Sequence, residues 1–213
     1  MTLGLIELLI RWAGGILAYG TLGVIFWGLW KGTRRAGGRV SGKSSPLLRS
    51  AWFYAITSAA FLGICMLGWV PLPLHVTSSA RVWMLVSGSV LLFPGLSLVL
   101  LGRLTLGRNY FVSTSQGAQL FAGHQLVKTG IYASVRHPMY LGLMMAAAGS
   151  LLIYMTWTTV FFEIFAPFIL LRARREDAAL AAEFGEEWRQ YGAHVHAFIP
   201  RFGKKGESDD PKS

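Results

Sequence analysis

From Pro138 to Leu171 the chain runs 34 residues with a single charge, Glu163. As one α-helix rising 1.5 Å per residue, this stretch would be about 51 Å long, against a hydrocarbon core of about 30 Å. Two short helices of about 16 residues each fit better, joined by a tight turn near Met155-Thr156-Trp157-Thr158. The small-residue run Ala146-Ala147-Ala148-Gly149-Ser150 lets such a hairpin pack closely. A segment of this kind places the chain in a membrane. Only 14% of the residues are charged, against about 25% in a soluble domain, too few to coat a water-facing surface.

Three further apolar stretches read as spans. Trp12–Trp30 is uncharged and bracketed by tryptophans, and Gly14, Gly15, Gly20, Gly23 and Gly28 give it a small-residue surface. Ala51 to about Val70 is the second, ended by Pro71 and Pro73. Val82–Gly102 is the third, with Pro94 expected to kink it. Between the first two lies Lys31–Arg49, with six basic residues and no acid. By the positive-inside rule this loop is cytoplasmic and the N-terminus lies outside. The expectation is an all-α integral membrane protein of about five transmembrane helices, the last two forming the tight hairpin. A cytoplasmic loop and a C-terminal amphipathic helix complete it. Glu7 and Arg11 followed by an uncharged run suit a retained span rather than a cleaved leader.

The net charge of +10 is a membrane signal and not a nucleic-acid one. Up to position 171 there are twelve Lys/Arg and two acids, and the bases sit between apolar blocks, as in loops facing an anionic leaflet. Cys65 is the lone cysteine and lies in an apolar run, so disulfide chemistry within the chain is excluded.

Leu104–Val135 is too polar and Gly-rich to span. Its clusters Tyr110-Phe111-Val112 and Leu120-Phe121 are candidates to dip into the interface. It leads into His124–Tyr140, HQLVKTGIYASVRHPMY, a polar loop delivered to the mouth of the next helix. Pro138 suits the first helical turn, and the free N–H groups there, with His137, can hold an anion or a ligand's polar edge. The alternative is that Arg136 snorkels to headgroups and His137 is an interface residue. Tyr132 and Tyr140 suit either stacking on a purine or cation, or the aromatic belt. Arg172 and Glu176, four apart, form either a plain ion pair or a guanidinium clamp for a carboxylate beside a ligand-binding acid. Glu163 lies at hydrocarbon depth, where an ionisable group is functional by default or else protonated and bonded to Thr158 or Thr159. His194 and His196 have no third ligand at metal spacing, so no metal is expected.

Leu126-Val127, Gly130, Tyr132, Arg136-His137-Pro138 and Tyr140-x-Gly142 together resemble the core signature of the isoprenylcysteine carboxyl methyltransferase family, itself similar to the phospholipid N-methyltransferases. The tail extends the resemblance through Arg172, Glu176-Asp177, Leu180, Phe184-Gly185-Glu186-Glu187-Trp188, Tyr191 and Ile199-Pro200. The family's paired glutamates stand here as Glu176-Asp177, and its usual Tyr after Phe-Gly-Glu-Glu is Trp188. The resemblance covers about the last half of the chain. It implies S-adenosyl-L-methionine as cofactor, held on the cytoplasmic side by His124, Gln125, Leu126, Val127, Tyr132, His137, Pro138, Met139, Tyr140 and Glu176. It implies that Arg172 faces the substrate and, with Glu176, forms the catalytic pair.

The function so implied is methyl transfer to a lipid-like acceptor at the bilayer, most simply an isoprenylcysteine-type carboxylate, which is already ionised and needs no general base. A phospholipid amine, a small thiol or a hydroxyl is the alternative acceptor, and an amine would need His137 or Glu176 as base. A sterol-type reductase using NADPH, and a non-catalytic membrane protein or small transporter centred on Glu163, are the other readings. Three regions are expected: 1–103 with three helices, 104–202 as the catalytic region, and 203–213 as a disordered tail.

Overall fold

The break anticipated in the apolar run falls at Met155. A computed structural model of the chain describes residues 2–33, 37–42, 51–110, 113–114, 117–121 and 125–199. Helix α4 (Pro138–Tyr154) ends where Met155 enters the left-handed region at φ 51°. Helix α5 (Trp157–Phe165) starts from a reciprocal cap: the Thr156 hydroxyl accepts from the Thr159 N–H, and the Thr159 hydroxyl accepts from the Thr156 N–H. Ala166-Pro167 then interrupts the chain, because proline has no N–H to continue the ladder, and α6 (Phe168–Phe184) follows. The last apolar residues, Phe168 to Leu171, therefore open α6 rather than close the hairpin.

The other apolar stretches also form helices, longer or shorter than expected. Helix α1 runs Leu3–Thr33 and takes Glu7 and Arg11 inside it. Helix α2 is Ala51–Leu67, so it stops at Gly68, before Pro71. Helix α3 is Ser78–Leu106, capped by Thr77, and stays helical through Pro94. By length and composition α1 and α3 are long and apolar enough to cross a membrane, while α2 and α4 are shorter apolar helices.

The seam between α3 and α4 explains why these two helices form the heart of the bundle. Gly88 and Gly95 on α3 meet Gly149 and the Gly142–Ala146 turn of α4, and Gly102 meets Met139 and Pro138, the seven-residue spacing of the three α3 glycines keeping them on one stripe. A Cβ on Gly95 would lie 2.7 Å from the Gly142 carbonyl oxygen, and one on Gly149 would lie 2.7 Å from the Gly88 carbonyl oxygen. Backbone thus packs on backbone, as small residues allow where no hydrophobic force draws helices together in lipid. Leu92, Leu96, Ala146 and Ile153 fill the flanks, with Ile10, Leu17 and Ala18 of α1 against them. Of the α1 glycines, Gly14 packs on Tyr154 and Leu92 and Gly28 on the Arg103 guanidinium, whereas Gly20 and Gly23 face open space.

At the end of the bundle away from His137, Arg81 serves as a cap for α4. Its guanidinium donates to the carbonyls of Leu152 (2.8 Å) and Ile153 (2.6 Å) and to both Glu7 oxygens (2.7 and 3.2 Å). Arg11 completes the network on Glu7 at 2.9 Å. The last carbonyls of a helix have no partner within it, so a buried side chain that reaches them removes a desolvation cost.

The all-α expectation holds for the body of the fold but needs one correction. A small antiparallel sheet of order β1-β3-β2 is present, from β1 (Gly37–Gly42), β2 (Ser113–Thr114) and β3 (Gly117–Phe121). The basic loop thus contributes a strand to the polar segment that follows α3, and β2 and β3 pack on α6. The pairing joins residues about eighty apart, through a Gly-rich strand with no alternating pattern to announce it. Phe111 and Val112 fall outside the described residues, as do Pro200 and the tail 203–213.

The amphipathic helix expected near the C-terminus is split in two. Gly185 sits at φ 51° and ends α6, and α7 (Glu186–His194) folds back. Ala179, Leu180, Trp188, Tyr191 and Val195 form a core of their own, with Leu126, Ala181 and Phe184 against it.

Candidate active site

The Arg136-His137-Pro138 tripeptide is fixed from three sides. Pro138 is the first residue of α4 and is fully buried, with His137 as its cap. Met139 lies against Gly102 of α3, where a Cβ would come within 2.6 Å of its Cγ. The backbone N–H groups of Arg136 and His137 donate to the carbonyls of His196 and Ala197, both at 2.9 Å. The segment after α7 is therefore sewn to the mouth of α4. Upstream, Gly130 at φ 60° starts the turn Gly130–Ala133, and the Tyr191 hydroxyl donates to the Tyr132 carbonyl at 2.6 Å.

Two side-chain pairs then join α4 to α6. Tyr140 donates its hydroxyl to Glu176 Oε2 at 2.6 Å. His137 Nε2 lies 2.7 Å from Asp177 Oδ1, and Arg136 Nη1 lies 3.3 Å from Asp177 Oδ2. The His137 ring is stacked on Tyr140 (centroids 5.5 Å apart) and tilted against Phe198 (5.6 Å). Arg172 sits over the Tyr140 ring at 5.8 Å, and Arg136 over Trp188 at 5.5 Å. Residues about forty apart in sequence thus meet as one cluster of two acids, three aromatic rings, a histidine and two guanidinium groups.

The electrostatics centre on Glu176. Burial pushes its carboxyl above the usual range, opposed by the Tyr140 hydrogen bond and by His137 and Arg172, while Asp177 pushes it further up. Tyr110 and Tyr132 are both raised, chiefly by burial, and both feel the Glu176 charge. Tyr191 is raised to about 12, again mainly by burial. A carboxyl ringed by three phenols is poised to take a cationic or hydrogen-bond-donating ligand group, which would restore its charge.

The residues expected from the sequence fall as follows. Tyr132, His137, Pro138, Met139, Tyr140 and Glu176 converge, and Arg172 stands at the exposed edge over Tyr140. Leu126 packs into the α6–α7 core, the Gln125 N–H donates to Asn109 Oδ1 at 3.2 Å, and Val127 is half-buried beside them. His124 lies outside the described residues. Sequence reasoning gave no role to Asp177, Tyr110, Arg103 or Phe198. Asp177 was seen only as half of an acidic pair, although its neighbour's i+4 relation to Arg172 might have pointed to the same turn. Tyr110 and Arg103, whose guanidinium lies over the Tyr110 ring at 4.2 Å, carry no local signal beyond an aromatic residue after a basic one. Glu163 takes no part in the cluster. It is half-buried on α5, and the expected bonds to Thr158 or Thr159 are not made, because Thr158 donates to the Cys65 carbonyl (2.6 Å) and Thr159 to the Thr156 carbonyl (2.8 Å).

Comparison with known proteins bears on this region directly. Residues 90–182 match the family described as the isoprenylcysteine carboxyl methyltransferase (ICMT) family. Methanethiol S-methyltransferase 2 of Bradyrhizobium diazoefficiens is 28% identical over 184 residues, covering 80% of this chain and 67% of that protein. Protein-S-isoprenylcysteine O-methyltransferase of Schizosaccharomyces pombe is 37% identical over 79 residues, covering 36% of this chain and 34% of its own. A solved structure of the eukaryotic intramembrane Ras methyltransferase ICMT shares 20% identity at a TM-score of 0.48, covering 70% of this chain and 52% of that one. The chain thus spans about a third of the fission-yeast protein and about half of the solved chain.

Proposed function

We propose that this chain, whose residues 90–182 match the isoprenylcysteine carboxyl methyltransferase family, is a membrane methyltransferase of that kind that uses S-adenosyl-L-methionine. One observation carries the reading: the two halves of the signature close on each other through the Tyr140–Glu176 bond at 2.6 Å. The donor set fits the cofactor. A buried carboxyl suits its ammonium or ribose hydroxyls, aromatic faces suit its purine and its cationic sulfur, and backbone at Gln125 to Val127 suits a flat heterocycle edge. When bound, the cofactor supplies a methyl group on a sulfonium. Tyr132, His137 to Tyr140 and Glu176 would hold it, with His124 to Val127 at its edge.

Arg172 is the proposed acceptor-side residue. Its guanidinium, over the Tyr140 ring at the exposed edge, can align an anionic acceptor beside Glu176 without protonating it. The first acceptor proposed is a lipid-like carboxylate of the isoprenylcysteine type, reached from the bilayer. A small thiol is the second, favoured by the likeness to a methanethiol S-methyltransferase, which extends over four-fifths of this chain. The site then faces the cytoplasm, with residues 104–202 as the catalytic region.

Calorimetric titration of S-adenosylmethionine into the purified protein in detergent tests the reading. Wild type is expected to bind, and His137→Ala and Glu176→Ala to bind at least tenfold more weakly, about 1.4 kcal/mol. Wild type that is folded yet does not bind would remove the proposal. A panel holding an S-prenylated cysteine and an alkanethiol then ranks the acceptors.

A further inference from the structure

We infer that Asp177 is a positioning residue, which orients His137 as the proton acceptor for an acceptor molecule that arrives protonated, a thiol first among them. The inference rests on the methyltransferase reading and deepens it at the acceptor. Its basis is the geometry around one imidazole. His137 is only 6% exposed. Its Nε2 is 2.7 Å from Asp177 Oδ1, and the rings of Tyr140 and Phe198 pack against it. The backbone bond to Ala197 and the Asp177 contact hold the ring in this orientation.

That orientation sets the tautomer. A carboxylate accepts only, so Nε2 carries the proton donated to Asp177, and in the neutral ring Nδ1 keeps the lone pair. With Nε2 engaged by Asp177, Nδ1 is the basic position left for a reactant. Asp177 also takes Arg136 on its other oxygen at 3.3 Å. One guanidinium already balances this carboxylate, so a neutral imidazole leaves the trio uncharged. The trio can then accept one proton with a carboxylate in place to stabilise it. The other charged or titratable groups facing His137 are Glu176 and Arg172 on α6 and Tyr140 on α4. Glu176 is committed to Tyr140.

The proton step is simple. The S–H bond of the thiol breaks, its electron pair stays on sulfur as a thiolate, and its proton forms an N–H bond at Nδ1. The imidazolium then returns that proton to water. A carboxylate acceptor has no proton to give and does not call on the pair, which is why acceptor acidity is the handle on it. Positioned proton transfer is worth about 10²–10⁴-fold.

The test compares Asp177→Asn, Asp177→Glu and wild type with two thiols, an alkanethiol and a thiophenol already ionised at neutral pH. Asp177→Asn is expected to lower kcat for the alkanethiol by about a hundredfold or more and for the thiophenol by only a few-fold. Asp177→Glu should restore most of the difference. Donor affinity by calorimetry should stay within a few-fold in all three, and the nitrogen resonances of His137 should report the tautomer and its loss in the Asn variant. Equal losses with both thiols, or a collapse of donor affinity, would overturn the role of Asp177 and leave the methyltransferase reading standing. So would a wild type that methylates carboxylates and no thiol. Absence of donor binding in wild type would instead remove the methyltransferase reading itself.

Discussion

Replacing Gly95 with alanine probes the seam that aims α4 at α6. The added Cβ would sit 2.7 Å from the Gly142 carbonyl oxygen and 2.8 Å from the Ala146 nitrogen, where ordinary contact begins near 3.4 Å. Both obstacles are backbone, so no rotamer change relieves them, and the helices must part by roughly 0.7 Å at that level. Overpacking of this kind costs about 1–3 kcal/mol, from which the gain of about 1 kcal/mol for alanine over glycine in a helix must be taken. A net loss of up to about 2 kcal/mol is expected. Gly102→Ala is the control: its Cβ meets the Met139 side chain at 2.6 Å, and a methionine can swing aside. That variant should lie within about 0.5 kcal/mol of wild type. Unfolding in mixed micelles measures both, and donor affinity measures the consequence, because a shift at Gly142 moves Tyr140 away from Glu176. Misplacement on the ångström scale costs up to about a hundredfold in rate. If Gly95→Ala and Gly102→Ala proved equally benign, the claim that backbone contact at Gly95 sets the α3–α4 spacing would be wrong.

Two further outcomes follow from the same contacts. Arg81→Met strips α4 of its cap and leaves Glu7 with Arg11 alone, so a loss of about 2–3 kcal/mol is expected, less than for a fully buried pair because Glu7 is partly exposed. Donor affinity should be unchanged, since Arg81 lies at the other end of α4, and a parallel fall in affinity would count against the separation of the two ends. Glu176→Gln should behave in the opposite way. Because the folded protein raises this carboxyl above its ordinary 4.5, its favourable contribution is complete only below that value and is lost as pH rises through the folded one. The Gln variant is therefore expected to unfold at the same or a higher temperature than wild type in mildly alkaline buffer, with the gap closing toward acid. It should bind the donor more weakly throughout. A wild type that is the more stable of the two at alkaline pH would mean that the site holds Glu176 ionised.

What the sequence made legible was whatever depends on local chemistry. The turn could be placed near Met155 because 34 residues with a single charge exceed one crossing. The break at Gly185 falls where glycine takes a positive φ without the steric cost a side chain brings. The candidate site residues were named by resemblance, which gave His137, Tyr140 and Glu176 without saying which touches which.

What stayed hidden was pairing at a distance. The strand Gly37–Gly42 has no apolar alternation of its own, and its only reason to be a strand is the edge offered by Gly117–Phe121. The glycines of α3 look scattered until α4 is laid against them, when Gly88, Gly95 and Gly102 prove to be one surface. Asp177 is the sharpest case. In sequence it is the second acid of a pair and, at hydrogen-bonding range, interchangeable with the first. In space the helix separates them: Glu176 turns to Tyr140 and Asp177 to His137 and Arg136. Consecutive helical residues point about 100° apart, so two adjacent acids can serve two different partners on α4. In the proposed chemistry one acid of the pair then addresses the donor and the other the acceptor's proton. The second acid reaches the His137 ring at 2.7 Å through the shorter Asp arm, with one rotatable bond fewer to hold in place than a Glu would have.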